Sequence, residues 1–236
     1  YLEAEDTLNS LAIASKLGAK VEKIDGNYHI TPPAQISSAK SILECGNSGT
    51  AMRIYMGLLA GSDGFYVLSG DEYLNERPMR RVADPLIKIG AKIDGRDKAN
   101  KAPIAIRGGN LEYFNYDSAI ASAQVKSALI LAGLCANGCK LSEPELSRDH
   151  SERMLKGMGA DISYEDGKII VKPLGSKKLK PLIMSVPNDP SSCFFYAVAA
   201  AITPGARVKF KNILLNKTRI EAYKVLEKMG AKISYT

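Results

Sequence analysis

Apolar side chains recur along this chain in two alternating rhythms. In AMRIYMGLLAG (51–61) they fall on one helix face, at Ala51, Met52, Ile54, Tyr55, Leu58 and Leu59, and predict a helix. The polar cluster before it, Gly46-Asn47-Ser48-Gly49-Thr50, reads as a loop feeding that helix, with Ser48 or Thr50 as N-cap. FYVLSG follows as a strand, and MRRVADPLIKI as a helix with Val82, Leu86 and Ile89 on one side. AKIDG and PIAIRG then alternate with the period of strands. The order continues with LEYFNYD (strand), AQVKSALILAGLCANG (long helix), KLSE (strand) and DHSERMLKGM (helix). ADISYEDG and KIIVKPL are two strands around a Glu-Asp-Gly turn, and CFFYAVAAAI is a further helix.

One phrase marks a repeat. KLGAKV, KIGAKI, GMGADI and KMGAKI place the alanine of a Gly-Ala pair at Ala19, Ala91, Ala160 and Ala231, intervals of about seventy residues. Each phrase closes a helical pattern, its glycine supplying the stop, and a strand is expected after it. The resulting fold class is α+β, built from repeated βαβαββ units. The first unit lacks its front and the last stops at KISYT. Because repeats need a full set to bury their faces, the chain is expected to be cut from something longer.

Composition narrows the choices. With 236 residues and 45% hydrophobic content, the chain can bury a sizeable core. No apolar run approaches the roughly 20 residues that span a bilayer, and Tyr1 is not followed by a basic leader or cleavage site. Neither a membrane partner nor export is expected. Cys45, Cys135, Cys139 and Cys193 lack CxxC spacing, and with only His29 and His150 beside them no zinc set is expected. They read as reduced thiols of a cytoplasmic protein. The net charge of +7 is spread along the chain apart from Lys177-Lys178-Leu179-Lys180, and there is no Trp and only 5 Phe for base stacking. Arginines gathered around a small anion fit this pattern, while a nucleic-acid-binding repeat domain is the rival from another class.

Polar residues collect where strands meet helices. Arg77 precedes Pro78 in DEYLNERPM, and Ser147, Arg148 and Asp149 open the corresponding loop of the next unit. Ser122-Ala123-Gln124 stands at the start of the long helix, where a serine and a glutamine can join free N–H groups in holding a phosphate. Asn188-Asp189-Pro190-Ser191-Ser192 leads into another helix. Each of these loops can equally serve only as a helix cap, and His150 reads as part of such a cap, a single His seldom making a triad unassisted.

Taken together and in order, GNSGTAMR, LSGDEYLNERPMRRVADPLIKIGAKI, ASAQVKSALILAGL, SRDHSERML and NDPSSCFFYAVAAAI resemble the 5-enolpyruvylshikimate-3-phosphate synthases over residues 3–234. The resemblance implies an enolpyruvyl transferase of the shikimate pathway, with the two-lobed inside-out α/β architecture of βαβαββ units and a cleft between the lobes. Residues 1–185 would be most of one lobe and 186–236 the first unit of the other. By resemblance, Asn47, Gly49, Arg77 and Gln124 bind phosphoenolpyruvate, and Ser122, Ala123, Gln124, Ser147 and Arg148 bind shikimate 3-phosphate. Gly49 is the small residue associated with glyphosate sensitivity. No metal or organic cofactor is implied, and the complete protein is expected to be a monomer.

Two positions depart from the common family pattern: Ala123 where many members carry serine, and Ile54 where many carry proline. The family's N-terminal lysine-serine-arginine motif, its catalytic carboxylates and its C-terminal arginines and lysine have no counterpart here, so the chain alone is expected not to turn over. The related transferase acting on UDP-N-acetylglucosamine is the enzyme rival, disfavoured by the ASAQ and SRDHSERM motifs.

Overall fold

The computed structural model describes residues 2–109 and 111–235. They form two compact units, one of Tyr1–Glu145 with His150–Leu182, the other of Leu146–Asp149 with Ile183–Thr236. Among the described residues no helix is long and apolar enough to cross a membrane.

The first unit opens with α1 (Glu5–Lys16) and a hairpin of β1 (Lys20–Ile24) and β2 (Asn27–Thr31). A complete repeat follows: β3 (Leu43–Glu44), α2 (Gly49–Ala60), β4 (Gly64–Ser69), α3 (Glu72–Glu76), α4 (Arg80–Lys88), β5 (Lys92–Gly95), the single turn α5 (Arg96–Ala99) and β6 (Lys101–Gly108). A second repeat has β7 (Phe114–Asp117), α6 (Ala123–Cys135), β8 (Cys139–Ser142), α7 (His150–Gly157), β9 (Ile162–Glu165) and β10 (Lys168–Val171). The two sheets share one topology, β3-β4-β6-β5 and β7-β8-β10-β9. In each, the first two strands are parallel and the last two antiparallel to their neighbours. The expected βαβαββ unit is therefore present twice, and the hydrophobic period locates its principal helices and strands.

The repeat phrase works through its glycine. Gly18, Gly90, Gly159 and Gly230 have φ of 101°, 100°, 91° and 103°, the left-handed conformation that ends a helix and that only glycine adopts without strain. The expected strand after the last of them does not form: residues 231–235 pair with no described strand, and a lone extended segment has no ladder to join. LEYFNYD also shortens to Phe114–Asp117, while DEYLNERPM contains the short helix α3 that the apolar pattern does not reveal.

The helices α2 and α6 lie inside. In α6, Val125 through Ile130 and Ala132 through Leu134 are buried, as expected of a helix apolar on all sides. By contrast, β6 alternates buried and exposed positions along its length. The helices α2 and α6 run parallel in direct contact. A Cβ added to Gly57 would lie 2.1 Å from the Ala128 carbonyl oxygen and 2.4 Å from its Cα, and one on Gly61 would lie 2.6 Å from the Ala132 carbonyl oxygen. Small residues four apart on both helices thus let the backbones touch.

The second unit holds α8 (Pro190–Ile202) and α9 (Glu221–Lys228), packed through Ala197, Tyr223 and Leu226. Asp189 caps α8, accepting from the Ser191 and Ser192 amides at 3.3 and 3.1 Å. All four cysteines are free thiols, and burial pushes those of Cys45 and Cys139 up to about 12.

Because a methyl at position 57 meets backbone rather than a movable side chain, Gly57→Ala is expected to destabilise the chain by about 2 kcal/mol or more. The midpoint of urea unfolding, measured by circular dichroism, checks this.

Candidate anion-binding site

The parallel strands β3 and β4 lead at their C-terminal ends into the two loops that carry the polar motifs of the first repeat, where ligands gather in open α/β sheets. In the first loop Ser48 caps α2, its hydroxyl accepting from the Ala51 amide at 3.2 Å, so the cap is Ser48 and not Thr50. The exposed Asn47 side chain donates to Asp71 at 2.7 Å. Asp71 in turn caps α3 by accepting from the Leu74 amide at 2.7 Å. These bonds, the Leu74 amide foremost, hold the Asp71 carboxyl below the usual carboxylate range.

Gly49, buried at the first position of α2, lies directly beneath two guanidiniums. A Cβ there would be 3.0 Å from Arg77 Cζ, 3.1 Å from Arg77 Nη1 and 3.2 Å from Arg53 Nη1. Arg77 is exposed and reaches the Asn47 carbonyl at 3.4 Å. Arg53 is only 5% exposed. It donates to Gln124 Oε1 at 3.1 Å and to the Pro78 carbonyl at 2.9 Å. Burial and the nearby charges of Arg77 and Arg81 push its ionisation downward. Gln124 completes the bridge by donating from Nε2 to Thr50 Oγ1 at 3.2 Å.

Asn47, Gly49, Arg77 and Gln124 are therefore brought together by the side-by-side N-terminal ends of α2 and α6. Ser122 and Ala123 stand at the same helix start, both half-buried, and Ser122 makes no capping bond through its side chain. It faces a small hollow shared with Ser118, Lys126 and Glu143. Ser147 and Arg148 belong to the second compact unit, where Ser147 is half-buried, Arg148 exposed, and their neighbour Asp149 accepts from Asn216 at 2.6 Å. The larger surface hollow, lined by residues such as Asp63, Lys92 and Arg107, lies at the other end of β4, away from Gly49.

Arg53 is the residue that the motif reading passed over. Its place in TAMRIYM, three positions after Thr50 on an otherwise apolar helix, was the available signal: an arginine flanked by buried positions needs acceptors.

A second buried cation braces the same helix. Lys126 Nζ lies 2.8 Å from Glu143 and 2.9 Å from Glu152, with side-chain exposures of 4%, 10% and 2%. Together they tie α6 to the loop after β8 and to α7. The hydroxyls of Ser127 and Ser151 add a further link at 2.6 Å.

These features define a class: a repeat-built α/β lobe in which helix N-termini, guanidiniums and an amide converge, groups of the kind that can neutralise and orient a small phosphate or carboxylate. Among the described residues no group of three His, Cys, Asp or Glu could hold a metal ion.

The family model for EPSP synthase (3-phosphoshikimate 1-carboxyvinyltransferase) matches residues 1–236, and the chain belongs to that family. It is 76% identical over 236 residues to the 3-phosphoshikimate 1-carboxyvinyltransferase of Campylobacter fetus, covering 100% of this chain and 56% of that protein. It is 61% identical to the enzyme of the same name from Nitratiruptor, covering 100% of this chain and 55% of the relative. The solved EPSP synthase of Acinetobacter baumannii superposes with a TM-score of 0.84 at 39% identity, over 98% of this chain and 52% of that one. The chain thus spans about half the length of the curated relatives it matches.

Two outcomes follow from the geometry. In Gly49→Ala the methyl displaces the Arg77 guanidinium, the movable group above it, and affinity for a small phosphate-bearing anion is expected to fall about tenfold, the worth of one charge-assisted hydrogen bond; isothermal titration checks this. Lys126→Met leaves two carboxylates buried together and is expected to cost about 3–5 kcal/mol in urea unfolding.

Proposed function

We propose that the complete protein carrying this chain transfers the enolpyruvyl group of phosphoenolpyruvate to the 5-hydroxyl of shikimate 3-phosphate, releasing phosphate. The hydroxyl gives up its proton to a base and its oxygen bonds to C2 of phosphoenolpyruvate as C3 takes up a proton from an acid. C3 then gives up a proton as phosphate leaves, restoring the vinyl group. In this reading Asn47, Gly49, Arg77 and Gln124 take phosphoenolpyruvate, and Ser122, Ala123, Gln124, Ser147 and Arg148 take shikimate 3-phosphate. Residues 1–185 are most of the substrate-binding lobe and 186–236 the first unit of the second. The protein works in the cytoplasm as a monomer, and glyphosate competes at the phosphoenolpyruvate site.

The observation that carries this reading is the placement of Gly49 under Arg77 and Arg53, with Gln124 reaching across from α6. Two anionic substrates repel each other, and guanidiniums with helix N-termini offset that repulsion while holding the reacting atoms in place. Asn47 and Gly49 contribute backbone and local geometry, whereas Arg77 supplies accessible charge. These groups position charge rather than move protons.

Titration with shikimate 3-phosphate and then phosphoenolpyruvate, followed by amide NMR shifts, tests the assignment. Saturable shifts at Ser122–Gln124 for the first and at Gly49 for the second are expected. Gln124→Ala should weaken both and Arg77→Ala only phosphoenolpyruvate, each by about tenfold or more. Shifts produced by UDP-N-acetylglucosamine instead, or by oligonucleotides with a steep salt dependence, would transfer the assignment to those ligands.

A further inference from the structure

Arg53 differs from every other basic side chain buried in the first unit. Lys126 is enclosed by two carboxylates, whereas both hydrogen bonds of Arg53 go to neutral oxygens, those of Gln124 and Pro78. Its Nε is buried and makes no hydrogen bond. The charged groups that bear on it are Arg77 and Arg81, both cations. Among the described residues no Asp or Glu forms an ion pair with it. A guanidinium withdrawn from water in this way is costly unless something negative offsets it.

We infer that Arg53 is the fixed positive floor of the anion site, a positioning residue whose buried charge is balanced by the bound anion rather than by the protein, and which sets the orientation of Gln124. The inference rests on the proposed phosphoenolpyruvate site and adds a residue to it. Three contacts give the side chain this role. Its Nη1 sits against Gly49 beside Arg77, so the two cations form one surface. Its bond to Gln124 Oε1 leaves the amide nitrogen facing Thr50, fixing which end of the amide is the donor. Its bond to the Pro78 carbonyl, next to Arg77 in the chain, ties the loop bearing the accessible arginine to α2. Arginine is required because one planar fork reaches two acceptors at once, which a lysine cannot do.

A residue of this kind lowers stability without ligand and raises affinity with it. The test compares the full-length protein carrying this chain with its Arg53→Gln, Arg53→Lys and Arg77→Ala variants. Urea unfolding is followed with and without phosphoenolpyruvate, and again with inorganic phosphate; KM values are measured for both substrates. Expected are an unfolding midpoint for Arg53→Gln without anion at or above that of the parent, loss of the anion-induced rise in midpoint, and a KM for phosphoenolpyruvate raised about tenfold or more with a smaller rise in KM for shikimate 3-phosphate, which Gln124 also meets. Arg53→Lys, keeping charge but not the fork, should retain a reduced response to anion.

A lower anion-free midpoint for Arg53→Gln together with an intact anion response would overturn the inference, because Arg53 would then be structural. If Arg53→Gln does not fold, Arg53→Lys decides: an anion response equal to the parent's overturns the inference, and a reduced one supports it. If Arg77→Ala loses the response while Arg53→Gln keeps it, the site reading stands and this inference fails. If the parent itself shows no response to either anion, both fail.

Discussion

The contact on which the rest depends is the meeting of α2 and α6 at backbone distance. Gly57 and Gly61 face Ala128 and Ala132, and no larger side chain fits between them. Because the two helices run parallel, their N-terminal ends lie together, and each begins in a polar loop supplied by its own repeat. A wider helix spacing would separate Gln124 from Arg53 and Thr50, whose bonds of 3.1 and 3.2 Å have no slack. The chemistry at the helix starts is thus set by packing about two and three turns further along α2.

The same parallel arrangement concentrates positive potential. Each helix N-terminus carries partial positive charge, and Arg53, Arg77 and Arg81 add three full charges at the α2 end. Within one repeat the protein stabilises a buried cation by enclosing it, as Glu143 and Glu152 do for Lys126. At Arg53 it does not. The difference between the two sites follows their positions: Lys126 faces α7 and the loop after β8, where it braces, while Arg53 faces the open end of the helix pair, where a ligand can serve as counter-ion. A brace with a free charge would be unstable, and an anion site with its own carboxylate would be filled.

How much of this the sequence discloses depends on range. The four Gly-Ala phrases and the hydrophobic periods locate nearly every helix and strand of the two complete repeats, because both are local properties: the left-handed φ at Gly90 and Gly159 and the alternation along β6 are decided by neighbouring residues. Strand formation at 231–235 is not local, since it needs a partner, and there the period-two pattern misleads. Asn47, Gly49, Arg77 and Gln124 are legible as motif residues, but their convergence on one point is a consequence of the α2 and α6 contact between repeats. Arg53 is missed for a different reason. It sits inside an apolar helical run where the pattern is read for its hydrophobic face, and its significance lies in which acceptors it finds and which carboxylates it lacks.

Asp71, the carboxylate bonded to Asn47, shows how the second loop divides its groups. Asp71 accepts from the Leu74 amide and from Asn47, and those bonds hold its carboxyl below the ordinary range. The same bonds favour the carboxylate form that accepts them. Its bonds are spent on orienting the Asn47 loop and starting α3, the helix that presents Arg77. The second loop of the first repeat therefore commits its acid to architecture and leaves its arginine exposed above Gly49.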